Sequence, residues 1–138
     1  MSGTRILPDL QCSLLCEDVR QEMNGNFMVA GIISHITVPQ LPVGVMKLCI
    51  FNRWTAGMGQ FTENVKLVAP DQSTVLLENK GKFELKGPDA AQISVHAFGN
   101  IQFKDAGTYQ VEVTVDDVLK LRYPVPLQVI PPKEPTDN

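Results

Sequence analysis

Two histidines, His35 and His96, and three cysteines, Cys12, Cys16 and Cys49, are all that this chain offers for metal or nucleophile chemistry. Both histidines fall in segments that read as strands, and on neighbouring strands the two rings would make a weak metal or proton-transfer pair. Two ligands without a third do not close a site, so the pair is read as separate surface or rim residues and no structural metal is expected. Cys12 and Cys16 share one phase of a strand about 13 Å apart, too far to bridge, and Cys49 pairs only if its strand neighbours one of them. An odd count with no Cys-x-x-Cys spacing suits small core residues in a reducing compartment. Cys16 beside Glu17 has no histidine that sequence alone places near it, so a nucleophile there is unsupported. The sequence holds no Gly-x-Ser-x-Gly elbow, no His-Glu-x-x-His and no phosphate loop. The expectation is a protein without catalytic, cofactor-binding or metal-binding residues.

Side chains suited to recognition are better represented. Arg53, Trp54, Met58 and Phe61 flank a turn containing Gly57 and Gly59. Exposed together they would form a cationic and aromatic patch of the kind that dominates interfaces. Trp54 and Phe61 would equally serve to close a core from the strand ends. Asp71, Asp89, Asp116 and Asp117 sit in turn-like contexts, where aspartate bonds its own backbone. Only Asp116 and Asp117 are adjacent, which falls short of the converging carboxylates that a calcium ion needs.

The elements that position these residues are strands. Tyr109, Val111, Val113 and Val115 alternate with Gln110, Glu112, Thr114 and Asp116, and the pattern resumes through Leu119, Leu121, Tyr123, Val125, Leu127 and Val129. Period-two alternation on both sides of an acidic pair predicts a hairpin. Opposed residues share a face, so parity favours a three-residue loop, Val115 to Asp117, with Val113 opposite Leu119 and Asp117 at positive φ. Pro124 and Pro126 lack N–H groups on one side of their strand, which predicts a free sheet edge or a break in pairing there. Further strands are expected at Leu10–Val19, Phe27–Val38, Val45–Trp54, Phe61–Ala69 and Gln92–Phe98. The second reads as long and central. The third has Met46, Leu48, Ile50 and Trp54 on one phase, with Cys49 and Phe51 making its other face unusually apolar. Thr74–Glu78 is short, and Lys80–Pro88 reads either as edge strand or as loop. In the last, Ile93, Val95 and Ala97 are in phase, and Ile101 and Phe103 continue it past Gly99-Asn100. No helical periodicity exceeds a single turn.

With 138 residues, 43% of them hydrophobic and 20% charged, the chain suits one folded domain over residues 9–131, after a flexible segment 1–8 and before a disordered tail 132–138. No apolar run approaches the roughly 18 residues of a membrane helix, and the start lacks the core of a signal peptide, so a cytoplasmic protein is expected. A net charge of −3 with interspersed signs disfavours a nucleic-acid partner.

Asp105-Ala106-Gly107-Thr108-Tyr109 followed by Val111 resembles the Asp-x-Gly-x-Tyr-x-Cys corner of immunoglobulin-like domains. That resemblance implies a two-sheet immunoglobulin-like sandwich of about seven to nine antiparallel strands, with the Tyr109 hydroxyl bonded back to upstream backbone. Val111 stands where the family has cysteine, so the inter-sheet disulfide is absent. The resemblance also implies an ion pair between Asp105 and an arginine near the base, Arg53 or Arg20. Across most of the chain, from Leu14–Arg20 through Asn24-Gly25, Gly31-Ile32 and Arg53-Trp54 to Gly107–Tyr109, the sequence is similar to a family of small bacterial proteins of unknown function. That likeness implies a fold and no activity.

The expected function is that of a non-catalytic binding or assembly module. It would contact an unknown protein partner or a second copy through a sheet edge, or through the loops around Trp54 and Asp116–Asp117. One alternative is a small-ligand-binding protein or hydrolase with a loop pocket near Arg53, Trp54 and Asp105. The other is a calcium-linked lipid-binding sandwich.

Overall fold

Alternating apolar residues give this chain strands and little else. The computed structural model describes residues 5–131, so the expected tail lies outside the described residues, as do residues 1–4. Nine strands follow in order: β1 (Asp9–Gln21), β2 (Phe27–Ile32), β3 (Ile36–Val38), β4 (Val43–Thr55), β5 (Gly59–Val68), β6 (Val75–Leu85), β7 (Ala91–Phe103), β8 (Gly107–Val115) and β9 (Val118–Val129). They form a four-stranded sheet, β2-β1-β4-β7, and a five-stranded sheet, β3-β9-β8-β5-β6. The protein is an all-β, two-sheet sandwich. All pairings are antiparallel except β3 with β9, which run parallel, a departure from the expected uniform pattern.

β8 lies at the centre of the larger sheet and supplies the middle of the core. Tyr109, Val111, Val113 and Val115 are buried, as are Val65 and Leu67 of β5 and Val125 and Leu127 of β9. Leu15, Leu48, Ile50 and Trp54 meet them from the smaller sheet. Fully burying one such side chain is worth roughly 1.5–3 kcal/mol, so this central layer is the main source of cohesion. The Tyr109 hydroxyl donates to the Asp105 carbonyl at 2.7 Å, the bond that the corner motif implied.

The β8–β9 hairpin forms, but its turn corrects the parity argument. Asp116 and Asp117 are a two-residue loop with φ of 47° and 66°, and Val115 pairs with Val118. Positive φ at both central positions is the primed turn that matches strand twist. Parity is restored by a bulge: Val113 pairs with Leu121 and Thr114 with Leu119, leaving Lys120 as the extra residue. Leu119 is thereby shifted onto the face of Thr114 and is 53% exposed, and Leu121 is partly exposed on a stretch of β9 that β3 does not reach. The odd-numbered residues of β9 therefore do not all face the interior. β3 joins only at Leu127–Val129, so Pro124 and Pro126 do lie on a β9 stretch paired with β8 alone.

Three other segments differ from expectation. Phe27–Val38 is two edge strands in different sheets: the Ile33 N–H bonds Leu15 O at 2.7 Å, and the chain then crosses over through Ser34–His35. Val75–Leu85 is one continuous edge strand, which settles the ambiguity over Lys80–Pro88 up to Leu85. β7 and β4 exchange the face they turn inward without losing register. Val45 and Ile101 face the core at one end and Leu48 and Ile50 at the other, with Asn100 at φ 53° in β7 at the switch. Met46 is consequently solvent-exposed, and it is His96 rather than Val95 that is buried.

Candidate functional site

Phe61, Glu63, Val65 and Leu67 occupy the inward phase of β5, so the alternation places a carboxylate in the core. Glu63 is 1% exposed, Asn52 0% and His96 4%; no other polar or charged residues are buried among the described ones. Asn52 and Trp54 descend from the inward phase of β4, and His96 stands beside Ile50 on β7. One Glu63 oxygen accepts from Trp54 Nε1 at 2.7 Å and from Asn52 Nδ2 at 2.8 Å. The other lies 2.9 Å from His96 Nε2, and the far nitrogen of that ring lies 2.9 Å from the Asn79 amide of β6. The ring is thus held between the Glu63 carboxylate and the Asn79 amide. Gly81, opposite Glu63 on β6, lies beside the His96 ring.

Burial pushes the Glu63 carboxyl up, but the donors from His96, Asn52 and Trp54 outweigh it and hold it below its ordinary value. A carboxylate bonded on both oxygens by fixed donors is stabilised in its charged form and has little capacity left to take a proton. The cluster links β4, β5, β6 and β7 and so ties the two sheets together along one flank. It is sealed: Trp54 stacks on Phe83 with centroids 5.5 Å apart, and Phe61 lies 5.6 Å from Phe83. The sequence did contain a signal for it, a charged residue on the apolar phase of β5. His96 was misplaced because Ile93, Val95 and Ala97 looked like the buried row.

The residues expected to form a patch do not present one: some are core and others are covered by the chain itself. Trp54 is 0% exposed and Phe61 2%, so both belong to the core and neither can present a face to a partner. Met58 exchanges two 2.9 Å backbone bonds with Ile6, and Pro8 packs against Gly57. Residues 5–8, part of the segment expected to be flexible, thus cover this end. Arg5 lies 4.9 Å over the Phe61 ring and pairs with Asp116, whose carboxylate also accepts the Thr62 N–H at 2.8 Å. Arg5, Gln60, Thr62, Lys82 and Glu84 rim a shallow groove of about 540 Å³ there. Asp117 is exposed beside it.

Asp105 has neither arginine as a partner. Arg53 pairs across the sheet with Ile93 while Phe103, two residues before Asp105, pairs with Val43. Ten residues of strand, about 33 Å, separate those positions. Arg53 instead donates to Gln11, and Arg20 pairs with Asp18 at 3.0 Å. Arg53, Trp54 and Asp105 therefore do not line one pocket. His35 is exposed and bonds only Ser34, far from the His96 cluster in both sheet and environment. Among the described residues no three Asp, Glu, His or Cys side chains converge as metal ligands would. Cys16 and Cys49 are directly opposed across β1 and β4, and burial pushes the Cys16 thiol up to about 11, an unreactive setting.

The opposite flank is built otherwise. Gln21 pairs with Phe27 and Leu14 with Phe51, seven residues apart along β1. A straight strand would hold those positions about 23 Å apart, yet the Phe27 and Phe51 rings meet at 6.3 Å. The β1–β2 ribbon therefore bends back over the sheet, which buries Cys16, Cys49 and Phe51 on the face away from the main core. Gly31 stands in the bend at φ 70°, where an added Cβ would lie 2.7 Å from the Glu17 carboxyl. Phe27 and Val29 are half-buried, whereas Met28, Ala30 and Ile32 face solvent, Met28 at 49% and Ile32 at 63%. The outer edge of β2 has no strand partner among the described residues.

Of the two outer strands of the larger sheet β6 is charged and β3 is only three residues long, whereas β2 has neither defence. β6 carries Glu78, Lys80, Lys82 and Glu84, and the stretch of β9 beyond β3 carries Lys120, Arg122, Pro124 and Pro126. Charge and proline are the usual means of blunting an edge. β2 reads Phe-Met-Val-Ala-Gly-Ile, with neither. β7 is also free of Asp, Glu, Lys and Arg, but it is tied at mid-length to β6 through His96 and Asn79.

The profile of a family described as a family of unknown function (DUF6941) matches residues 11–129, which include both flanks. No curated protein matches the chain.

Proposed function

The chain belongs to DUF6941, a family that brings no activity with it, and from the geometry alone we propose that it is a non-catalytic assembly module that takes up a strand along β2. The observation that carries this reading is the uncharged, proline-free edge of Phe27–Ile32, on a ribbon bent back over the smaller sheet and without a strand partner among the described residues. A row of unpaired backbone N–H and C=O groups is a template for another strand, and exposed side chains on alternate positions supply its preference. No helix among the described residues is long and apolar enough to cross a membrane. A cytoplasmic setting, and an immunoglobulin-like ancestry for the sandwich, are part of the same proposal, supported by the three free thiols and by the Tyr109–Asp105 corner bond.

The test is capture of partners from native extract by the wild-type chain and by Ala30→Lys. Ala30 faces solvent opposite Asp18, so a lysine there meets a carboxylate within its own ribbon and folding is preserved. Capture lost in this variant, with an unchanged Tm, supports edge recruitment; capture equal to wild type overturns it.

A further inference from the structure

We propose that Cys16 and Cys49 are a thiol pair that closes into a cross-strand disulfide when the β1–β2 ribbon lifts from the smaller sheet, a redox modification site independent of what β2 recruits.

The three free cysteines have unequal surroundings. Cys12 is half-buried opposite Arg53, about 13 Å along β1 from Cys16, and has no second thiol within a disulfide's reach. Cys16 and Cys49 are directly opposed on antiparallel β1 and β4. The Cys16 Sγ–H donates to the Cys49 carbonyl oxygen at 3.6 Å, so that sulfur lies against the backbone of the residue facing it. Opposed residues share a face, and their Cα atoms are about 4.5–5.5 Å apart, inside the roughly 4.4–6.8 Å that a disulfide spans. Cys49 was the cysteine whose pairing depended on which strand lay beside its own, and the sheet order makes β1 that neighbour.

Cover is what keeps the pair reduced. Cys16 is 0% exposed and Cys49 1%, beneath the ribbon whose Phe27 ring meets Phe51. Burial holds the Cys16 thiol at about 11, so the nucleophilic thiolate is scarce at neutral pH while the ribbon is seated. That cover can lift without unfolding the sandwich. β2 is an edge strand hydrogen-bonded to β1 alone, and such elements open at the low end of the stability range. Cys16 is also the residue at which β1 passes from β4 to β2, opposed to Cys49 on one side and to Ile32 on the other. Lifting the ribbon therefore pivots beside the sulfurs and admits solvent to both. The oxidant is a low-molecular-weight disulfide. The first exposed thiolate attacks one of its sulfurs, breaks the S–S bond and releases one small thiolate. The second cysteine loses its proton to water and attacks the protein-bound sulfur, which forms the Cys16–Cys49 bond and releases the second small thiolate. Two protein thiols are oxidised, and one small disulfide is reduced to two thiols.

The test is to incubate the full native chain with oxidised glutathione, then to unfold it, alkylate the remaining thiols and measure intact and peptide masses. In the wild type Cys16 and Cys49 should disappear together and be recovered as one linked peptide, lighter by two hydrogens, while Cys12 stays alkylatable or carries glutathione. Cys49→Ser should instead trap glutathione on Cys16, because no neighbouring thiol resolves the mixed disulfide. Phe27→Ala removes the ring that holds the ribbon against Phe51. It should close the disulfide at least about tenfold faster than the wild type, since an uncovered Cys16 returns towards its ordinary 9.0 and regains thiolate. If Cys12 takes glutathione while Cys16 and Cys49 both remain alkylatable in the wild type and in F27A, the site is overturned. Closure in F27A no faster than in the wild type overturns the ribbon as its gate. Edge recruitment stands or falls separately, on capture by A30K.

Discussion

Along one flank, β6 and β7 bring the edges of both sheets together around Glu63, and each of its oxygens meets a donor from another strand. Along the other, β1 and β2 bend back over the smaller sheet as a ribbon and leave an apolar edge in solvent, with one sheet-to-sheet side-chain hydrogen bond behind it among the described residues, Ser13 to Tyr123 at 3.1 Å. Both flanks face the same problem, since a sandwich has open sides where backbone groups end unpaired. On the β6–β7 side the solution is internal, with charge on the outer strand and a buried network between the sheets. On the β2 side neither device is present. A buried ionic network is costly to assemble and more costly to leave half-made, so it suits a permanent seam; an uncharged, proline-free edge suits a seam that a second chain completes.

Breaking the closed flank should have the largest effect. Glu63→Ala would leave the Trp54 indole, the Asn52 amide and His96 without their acceptor in a dry site, and a loss of about 3–5 kcal/mol in denaturant unfolding is expected. A loss under about 1 kcal/mol would mean that the seam does not hold the sheets. The same carboxylate gives the flank a pH signature. It is held below its ordinary 4.5, so its stabilisation is complete above that value and is lost as pH falls through the lower, folded-state pKa. Between about pH 5 and pH 3 the wild type should therefore lose more stability than Glu63→Gln, which has no such proton to bind. Trp54→Phe keeps the ring on Phe83 and removes only one donor, and about 1–3 kcal/mol is expected from thermal or denaturant melts. On the open flank, Tyr123→Phe removes the cross-sheet bond to Ser13 and should cost about 0.5–1.5 kcal/mol. Ala30→Lys should change stability by less than about 0.5 kcal/mol, as an exposed substitution does, while abolishing partner capture. The ranking, steep on one flank and shallow on the other, is the quantitative form of the contrast.

The two flanks also differ in how far the sequence discloses them. Strict alternation in Tyr109–Val115 and in Val125–Val129 announced the central hairpin, because a row of identical parity reports a face directly. It did not announce the bulge at Lys120, since a bulge is a local change of parity that short-range patterning cannot separate from a longer turn. Phe27–Val38 read as one central strand because both pieces are apolar; what splits it is the crossover at Ser34–His35, a tertiary event. Glu63 was in plain view on an apolar phase, yet its partners come from strands that only the sheet order brings together. Of the residues read as a patch, Arg53, Trp54, Met58, Phe61, Asp116 and Asp117, Trp54 and Phe61 are buried, and the covering of this end by residues 5–8 was not foreseeable from composition. The edge at β2 was legible only in the negative, as a strand lacking charge and proline.

Amide hydrogen exchange with and without the partners captured from native extract tests the central claim most directly, because it reads each edge separately in one unmodified protein. The amides of β2 should exchange fast in the free protein and become protected in the complex, while those of β6 and β7 stay constant. Exchange in β2 that is equally fast in both states, or protection that rises along β7 instead, would contradict the account.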